Sequence, residues 1–446
     1  MISNEWDVAQ EQDLAYLWHP WTPVSGLQHG LPLYVRGDGC YVFDAAGKKY
    51  LDARSAALNA SLGYGRRDII EVIAEQMMLL MTFELAGAST VPPIQLAVKI
   101  AELLPPPLRR TFFCSSGSEA TEAAIKMSRM YHRLRGETER TTIIGFRGGY
   151  HGATWGALAL SNSVFNQEGY EPLAGGFLAV DHPNGITGYT TPVEQAIGWV
   201  ECAIREQPHG TVAAFIAEPV LGIGGIRLPP DGYFKLLREV CDRSGILLIF
   251  DEILTGFGRT GRMFAFEHWG VIPDILLTSK CLTGGYIPLS AITTSDAIYN
   301  TFARDPLLGG FRHGHTNSGH AAACAGALAV LTAIEREGLI QNAAELGKKL
   351  LEGLRSILAT YPAVVEARGL GLLIGIEFAA ETTARPPVAE RFAKRALMRG
   401  LLVRQQENIV TLAPPLVLSE DECSQLLDII WNVLNDISIE DSSGRI

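Results

Sequence analysis

The sequence predicts an α/β protein with a large domain around a mostly parallel sheet and a smaller α+β domain built from both chain ends. Three observations carry this. Short apolar runs alternate with helical stretches through the middle of the chain, the pattern of strands covered on both faces. After Gly338 the pattern changes to long helices separated by paired strand-like segments. Apolar residues make up 47% of the 446 residues and charged ones 19%, enough to bury a sizeable core and to exclude global disorder. The expected ranges are 1–60 as part of the small domain, 61–336 as the large domain, and 337–446 as the rest of the small domain.

The elements follow in order. Asp38 to Leu51 reads as a hairpin, with Tyr41–Phe43 and Lys49–Leu51 flanking the turn Asp44–Lys48. From Glu119 to Leu134, Ala120, Ala123, Ala124, Met127 and Met130 recur at helical spacing. Thr142–Phe146, Val212–Ala217, Ile246–Phe250 and Ile275–Thr278 are apolar runs bounded by Gly, Pro or charge, hence strands, with a helix at Gly232–Ser244 between two of them. Ala321 to Glu335 is a long, Ala-rich helix. The last part predicts a helix over Gln341–Thr360, strands near Val364–Ala367 and Leu372–Phe378, a helix over Ala389–Arg399, and a final helix from Ser419.

Composition excludes several functions. With 37 basic against 48 acidic side chains, a net charge of −11, a nucleic-acid partner is not expected. No apolar run approaches the ~18–20 residues that span a bilayer, so no membrane partner is expected either. The mixed, mildly acidic start Met1–Gln10 is no signal peptide. Seven cysteines at irregular spacing form neither a disulfide framework nor a metal pattern; no metal is expected, and reduced thiols point to the cytoplasm.

In open α/β sheets ligands bind beyond the carboxyl ends of the strands. Here Phe112–Cys114 runs into Ser115-Ser116-Gly117-Ser118 and a helix. Phe146 leads to Tyr150-His151-Gly152, Ala217 to Glu218, Phe250 to Asp251, and Ser279 to Lys280. One crevice would receive a phosphate-sized cradle, an aromatic ring, carboxylates and a lysine. Ser116-Gly117-Ser118 can hold a phosphate on free N–H groups, or be an ordinary serine cap. A desolvated Lys280 would be a nucleophile for aldehydes; alternatively it reaches solvent. Asp251 could pair with a protonated ring nitrogen, or form a structural ion pair. Tyr150 offers a face for stacking, or is a core aromatic.

Taken together and in order, these blocks resemble class III aminotransferases. The resemblance rests on Ser116-Gly117-Ser118-Glu119-Ala120, Tyr150-His151-Gly152, Ala217-Glu218-Pro219, the run from Phe250-Asp251-Glu252-Ile253 to Arg259-Thr260-Gly261, Ser279-Lys280, Gly314-His315-Thr316 and Ala413-Pro414-Pro415-Leu416. It covers about Trp18 to Glu422. It implies the fold-type-I transferase fold and pyridoxal 5′-phosphate (PLP) as cofactor. Lys280 would carry the cofactor as a Schiff base and then shuttle a proton. Asp251 would keep the pyridine nitrogen protonated, with Tyr150 stacked on the ring. Ser116, Gly117 and Ser118 would serve the phosphate, and His151, Glu218 and Ile253 would belong to the same cofactor site. Thr316 would reach the partner subunit's phosphate, which implies a homodimer with shared active sites.

The departures bear on substrate. Leu221 stands where several members have Gln. Ala321 follows His320 where many have Pro. Thr411 occupies the place of the arginine that the α-amino-acid branch uses for its α-carboxylate. Arg404 matches the carboxylate arginine of the amine–pyruvate transaminase and diaminopelargonate synthase branch; otherwise it is a surface arginine. Trp18-His19-Pro20-Trp21 and Gly63-Tyr64-Gly65-Arg66 also favour that branch, but Ala57 and Leu58 replace the paired tryptophans of diaminopelargonate synthase. Trp21, Leu58 and Arg404 are the expected substrate contacts. The reading is an ω-aminotransferase moving an amino group from an amine or ω-amino acid donor to a keto-acid acceptor by ping-pong half-reactions. Cofactor motifs alone do not separate it from a racemase, aminomutase or decarboxylase on this scaffold, and a non-catalytic protein reusing the fold is a further alternative.

Overall fold

Seven strands form the central sheet of the structure, a computed structural model that describes residues 3–185, 191–380 and 386–443. In spatial order they are Leu108–Cys114, Ser290–Ser295, Ile275–Thr278, Leu247–Asp251, Val212–Ala217, Thr142–Phe146 and Phe177–Val180. Ser290–Ser295 runs antiparallel to both neighbours; the other six point the same way. The three strands Ile275–Thr278, Leu247–Asp251 and Val212–Ala217 are buried at every position. Their alternate side chains feed two cores. Ile216, Ile249 and Leu277 pack on Ala120, Ala123 and Ala124 of the helix Gly117–Leu134. Phe215, Leu248 and Phe250 share the opposite core with Tyr233, Phe234 and Leu237 of the helix Tyr233–Ser244. Burying each large apolar side chain contributes about 1.5–3 kcal/mol.

The helix Gly117–Leu134 starts where it does because Ser116 caps it. The Glu119 N–H donates to Ser116 Oγ at 3.2 Å, and the Glu119 carboxylate accepts the Ser115 N–H at 2.7 Å. That fixes the first turn against the end of the Leu108–Cys114 strand.

Both chain ends build the rest. Tyr34–Asp38, Tyr41–Asp44 and Lys49–Asp52 form an antiparallel sheet, which Leu401–Leu402 joins in parallel with Leu401 opposite Leu51. A four-stranded antiparallel C-terminal sheet has the order Val364–Leu370, Leu373–Phe378, Ile409–Leu412, Arg404–Gln406. Helices Leu339–Leu358, Val388–Met398 and Glu420–Ser443 complete this part. Arg259 sits at the seam. Its guanidinium is buried and donates to the carbonyls of Leu372 at 3.1 Å and Pro414 at 2.5 Å, so the Asp251 run ends by gripping the C-terminal part.

Candidate active site

The carboxyl ends of the parallel strands open into a cavity of about 180 Å³ lined by Gly117, Ser118, Tyr150, His151, Glu218, Asp251, Ile253 and Lys280. Each arrives at or just past the carboxyl end of a strand. The sheet geometry, not proximity in sequence, brings them together.

Asp251 closes the last position of its strand and is 3% exposed. One carboxylate oxygen lies 2.7 Å from His151 Nδ1, and the other accepts the Ile253 N–H at 3.1 Å. Burial pushes the His151 imidazole toward neutrality, but the bond to Asp251 and the charges of Asp251 and Glu218 more than offset it, so its pKa is raised. Buried and braced in this way, Asp251 holds its carboxyl group in a fixed position at the back of the cavity.

Glu218 is 6% exposed and accepts two backbone N–H groups, from Tyr150 at 2.9 Å and Gly222 at 3.0 Å. Burial raises its pKa and the Asp251 charge adds to this, while His151 and the two N–H donors oppose it. It thereby ties the Tyr150 loop to the turn that follows Glu218.

Lys280 is half-buried, with a left-handed backbone at φ 36°. Such a conformation costs a non-glycine residue on the order of 1–3 kcal/mol. No hydrogen bond reaches its amine among the described residues. Burial lowers its pKa and the Arg404 charge adds to this, against the opposing pull of Asp251 and Glu218. The result is an amine held toward its neutral, nucleophilic form.

The backbone N–H groups of Gly117 and Ser118 open the 18-residue helix and have no protein acceptor among the described residues. Ser118 Oγ accepts the Ala153 N–H at 3.1 Å, which locks this cradle to the Tyr150–Gly152 loop. The approach is so close that a Cβ at Gly152 would fall 2.5 Å from Ser118 Oγ, and the glycine's φ is 136°. Ser116 supplies the cap rather than the lining. Tyr150 is half-buried and lines the cavity, and burial raises its phenol pKa. An unpaired amine, a braced carboxylate, an aromatic ring and open N–H groups together fit a pyridine ring that carries an aldehyde and a phosphate.

Leu58 and Arg404 meet in an adjoining, narrower cleft with Ile409, Thr411 and the turn Gly222–Gly225; Ile223 lines both spaces. Leu58 packs on Val220, Ile226 and Leu254. Arg404 is half-buried, opposite Thr411 in the strand pairing, and no hydrogen bond or ion pair reaches its guanidinium among the described residues. Burial lowers its pKa, with Arg54 adding and Tyr150 opposing.

Two expected residues lie apart. Trp21 is 65% exposed, stacks on Phe165 at 6.2 Å and lines neither space. Thr316 is exposed in the turn before the helix Ala321–Arg336 and does not line this chain's cavity. Sequence reasoning missed Ile223, Leu254 and Ser279 as lining residues. Leu254 and Ser279 sit inside the quoted motifs, which was the available signal; Ile223 had none. Among the described residues no group of three or more His, Cys, Asp or Glu could hold a metal ion.

The family described as Aminotransferase class-III matches residues 25–434. The taurine–pyruvate aminotransferase of Bilophila wadsworthia is 34% identical over 93% of this chain and 94% of its own length. An (S)-enantioselective ω-transaminase from Thermomicrobium roseum superimposes with a TM-score of 0.91 at 37% identity, covering 97% of this chain and 98% of that one. The ω-transaminase of Pseudomonas jessenii, solved in complex with PMP, does so with a TM-score of 0.91 at 33% identity, covering 96% and 97%.

Proposed function

The chain belongs to the class III aminotransferases, PLP-dependent enzymes that transfer amino groups, and from that premise we propose that its donor is an amine or ω-amino acid and its acceptor a small keto acid. The observation that carries this reading is Arg404, an unbonded, half-buried guanidinium beside the cofactor cavity, with Thr411 where an α-carboxylate arginine would stand. A long arginine can pair with a carboxylate in one half-reaction and swing aside in the other. Leu58 leaves an aliphatic wall where an aromatic would narrow the cleft.

Gly117 and Ser118 would hold the PLP phosphate, Tyr150 its ring face, Asp251 its ring nitrogen and Lys280 its aldehyde carbon. When bound, PLP supplies an electron sink that makes the donor's Cα–H acidic. Lys280 Nζ, which burial shifts toward its neutral form, would take that proton as general base and return it as general acid. His151 and the Ile253 N–H each hold one Asp251 oxygen, so the carboxyl group would meet the ring nitrogen already fixed in position. Glu218 keeps the Tyr150 loop closed over the cavity.

The working unit in this reading is a homodimer. Met77, Met78, Leu79, Met81 and Phe83 form an exposed apolar stretch, with Met78 80% and Leu79 82% exposed. The Met81 carbonyl accepts the Ala322 N–H at 3.1 Å, so this stretch adjoins the turn that carries Thr316. A second copy covering it would bring Thr316 to the neighbouring phosphate. No helix among the described residues is long and apolar enough to cross a membrane. All seven cysteines are free, which supports a reducing, cytoplasmic setting.

A donor screen tests the reaction. A productive amine should discharge the lysine-bound absorbance of the cofactor, leave the amino form, and release a carbonyl product. A racemase or decarboxylase would accumulate neither. Mixing Thr316→Ala with Lys280→Ala chains tests the dimer, because one site of the mixed dimer regains both residues. Activity no higher than either parent after proven subunit exchange would count against shared sites.

A further inference from the structure

We propose that Arg368 is a positioning residue that sets the width of the substrate cleft, an inference that rests on assigning the Arg404 cleft to substrate. One wall of that cleft is the turn Gly222–Ile226, which follows a strand of the central sheet. The other is the C-terminal sheet, with Arg404, Gln406, Ile409 and Thr411. The turn is pinched shut by a reciprocal backbone pair between Leu221 and Arg227, at 2.9 and 3.1 Å. It is also strained at Ile226, whose φ is 53°, next to Gly225 at φ 103°. Among the described residues, no backbone N–H of the turn donates to the carbonyls of Gly225 and Ile226.

Arg368 does. Its Nε donates to Gly225 O at 3.0 Å and Ile226 O at 3.2 Å, and its Nη2 donates to Gly225 O at 2.6 Å. The same guanidinium donates through Nη1 to Glu377 at 2.6 Å and to Glu366 at 2.9 Å. Glu377 also accepts from Arg227 at 3.3 Å. Arg368 and Glu377 are each 6% exposed and stand on the two strands at one side of the C-terminal sheet, whose far edge strand carries Arg404. One planar fork therefore rivets the turn to the sheet that presents the substrate arginine. Gly225 makes the approach possible: a Cβ there would lie 2.4 Å from Ile409 Cδ1 and 3.2 Å from Arg368 Nη2. From the turn the constraint continues through the Gly222 N–H to Glu218, and from Glu218 to the Tyr150 N–H.

Loss of Arg368 leaves two carbonyls without donors and releases the turn from the sheet. In the PLP-loaded Arg368→Ala enzyme, amide exchange across Gly222–Arg227 should accelerate. The KM for the keto acid should rise about tenfold, roughly one charge-assisted hydrogen bond. The ratio of kcat/KM for a bulky amine over a small one should increase, and kcat for the saturated donor half-reaction should stay within about twofold. Arg368→Lys, which keeps one charged donor, should recover part of each change. If the alanine variant fails to fold, the lysine variant and Glu377→Gln carry the test through the same readings. Unchanged exchange, or kcat and KM falling together with a fixed donor ratio, overturns the proposal. Faster exchange with an unmoved KM and donor ratio also overturns it. Arg404→Ala run in parallel separates the two failures: if it too leaves the acceptor KM unmoved, the substrate reading of the cleft has failed.

Discussion

At the back of the cofactor cavity the buried acidic groups are held in place: Asp251 by His151 and the Ile253 N–H, Glu218 by two backbone donors. A short distance away, in the cleft that shares Ile223, no hydrogen bond or ion pair reaches the Arg404 guanidinium among the described residues. The cofactor is the same in every turnover, so its wall can be over-determined and preorganised, with no rearrangement needed at the moment of reaction. In the proposed reading two unlike substrates would share the cleft, so its charged group would have to stay free to engage and withdraw. The difference predicts that substitutions at the wall damage folding and chemistry together, while those at Arg404 damage recognition alone.

The largest effect tests the wall at its nucleophile. Lys280→Ala should lower turnover by at least ~10²–10⁴-fold, the share of a general acid–base group. Borohydride should fix the cofactor on the wild-type peptide that contains Lys280. Labelling of another lysine sinks the assignment. Since burial holds this amine below the ordinary lysine pKa, capture of PLP by the apoenzyme should rise with pH to a midpoint below 10.5. A midpoint at or above that value would mean the amine is not desolvated.

Asp251→Ala comes next. It breaks a buried pair and strands His151, so stability should fall by about 3–5 kcal/mol in urea unfolding, along with activity. A stable but inactive variant would mean that the wall is less interlocked than its geometry indicates. Arg404→Ala then tests the other side of the comparison. The acceptor KM should rise by the equivalent of ~1.5–3 kcal/mol, with the half-reaction of an uncharged amine left alone and stability within about 0.5 kcal/mol. Equal losses in both half-reactions would make Arg404 structural.

The smallest effect concerns acid sensitivity behind the wall. His182 packs edge-on against Phe146 and is 3% exposed; burial, aided by Arg227, pushes its pKa down to about 3. Between the ordinary histidine value of 6.5 and about 3 the unfolded chain therefore binds a proton that the folded one refuses. Stability is present above that window and is lost as pH falls through it, by up to ~1.4 kcal/mol per pH unit. His182→Gln should flatten this slope in unfolding measured between pH 6.5 and 4; an unaltered slope would assign the sensitivity to other groups.

The same contrast governs what could be read from the sequence. Thr142–Phe146, Val212–Ala217 and Ile275–Thr278 were legible to the residue, because strands buried on both faces are continuous apolar runs with sharp ends. The strand expected at Ile246–Phe250 lies one residue later, at Leu247–Asp251, with Asp251 inside it. Ser290–Ser295 was not legible: it is buried throughout, yet its Ser-Ala-Ile-Thr-Thr-Ser composition hides that. Pro92 and Pro93 conceal the helix Val91–Leu103, since Pro is tolerated in a first turn. Helix Ser3–Tyr16 has no apolar stripe to announce it. Lys280, Asp251, Glu218 and Tyr150 could be placed in one crevice because each follows a recognisable strand. The position of Trp21, outside both spaces of its own chain, depends on side-chain packing that no local pattern encodes.

The parallel pairing of Leu401–Leu402 with Lys49–Asp52 joins segments about 350 residues apart. Closing so long a loop is entropically costly and must wait until Leu401–Leu402 has been made. The residues from Ser116 to Lys280 leave the ribosome about 120 residues before Arg404 does, roughly ten seconds at ~5–20 residues per second. The chain segments of the cofactor wall are thus all made before the arginine of the cleft.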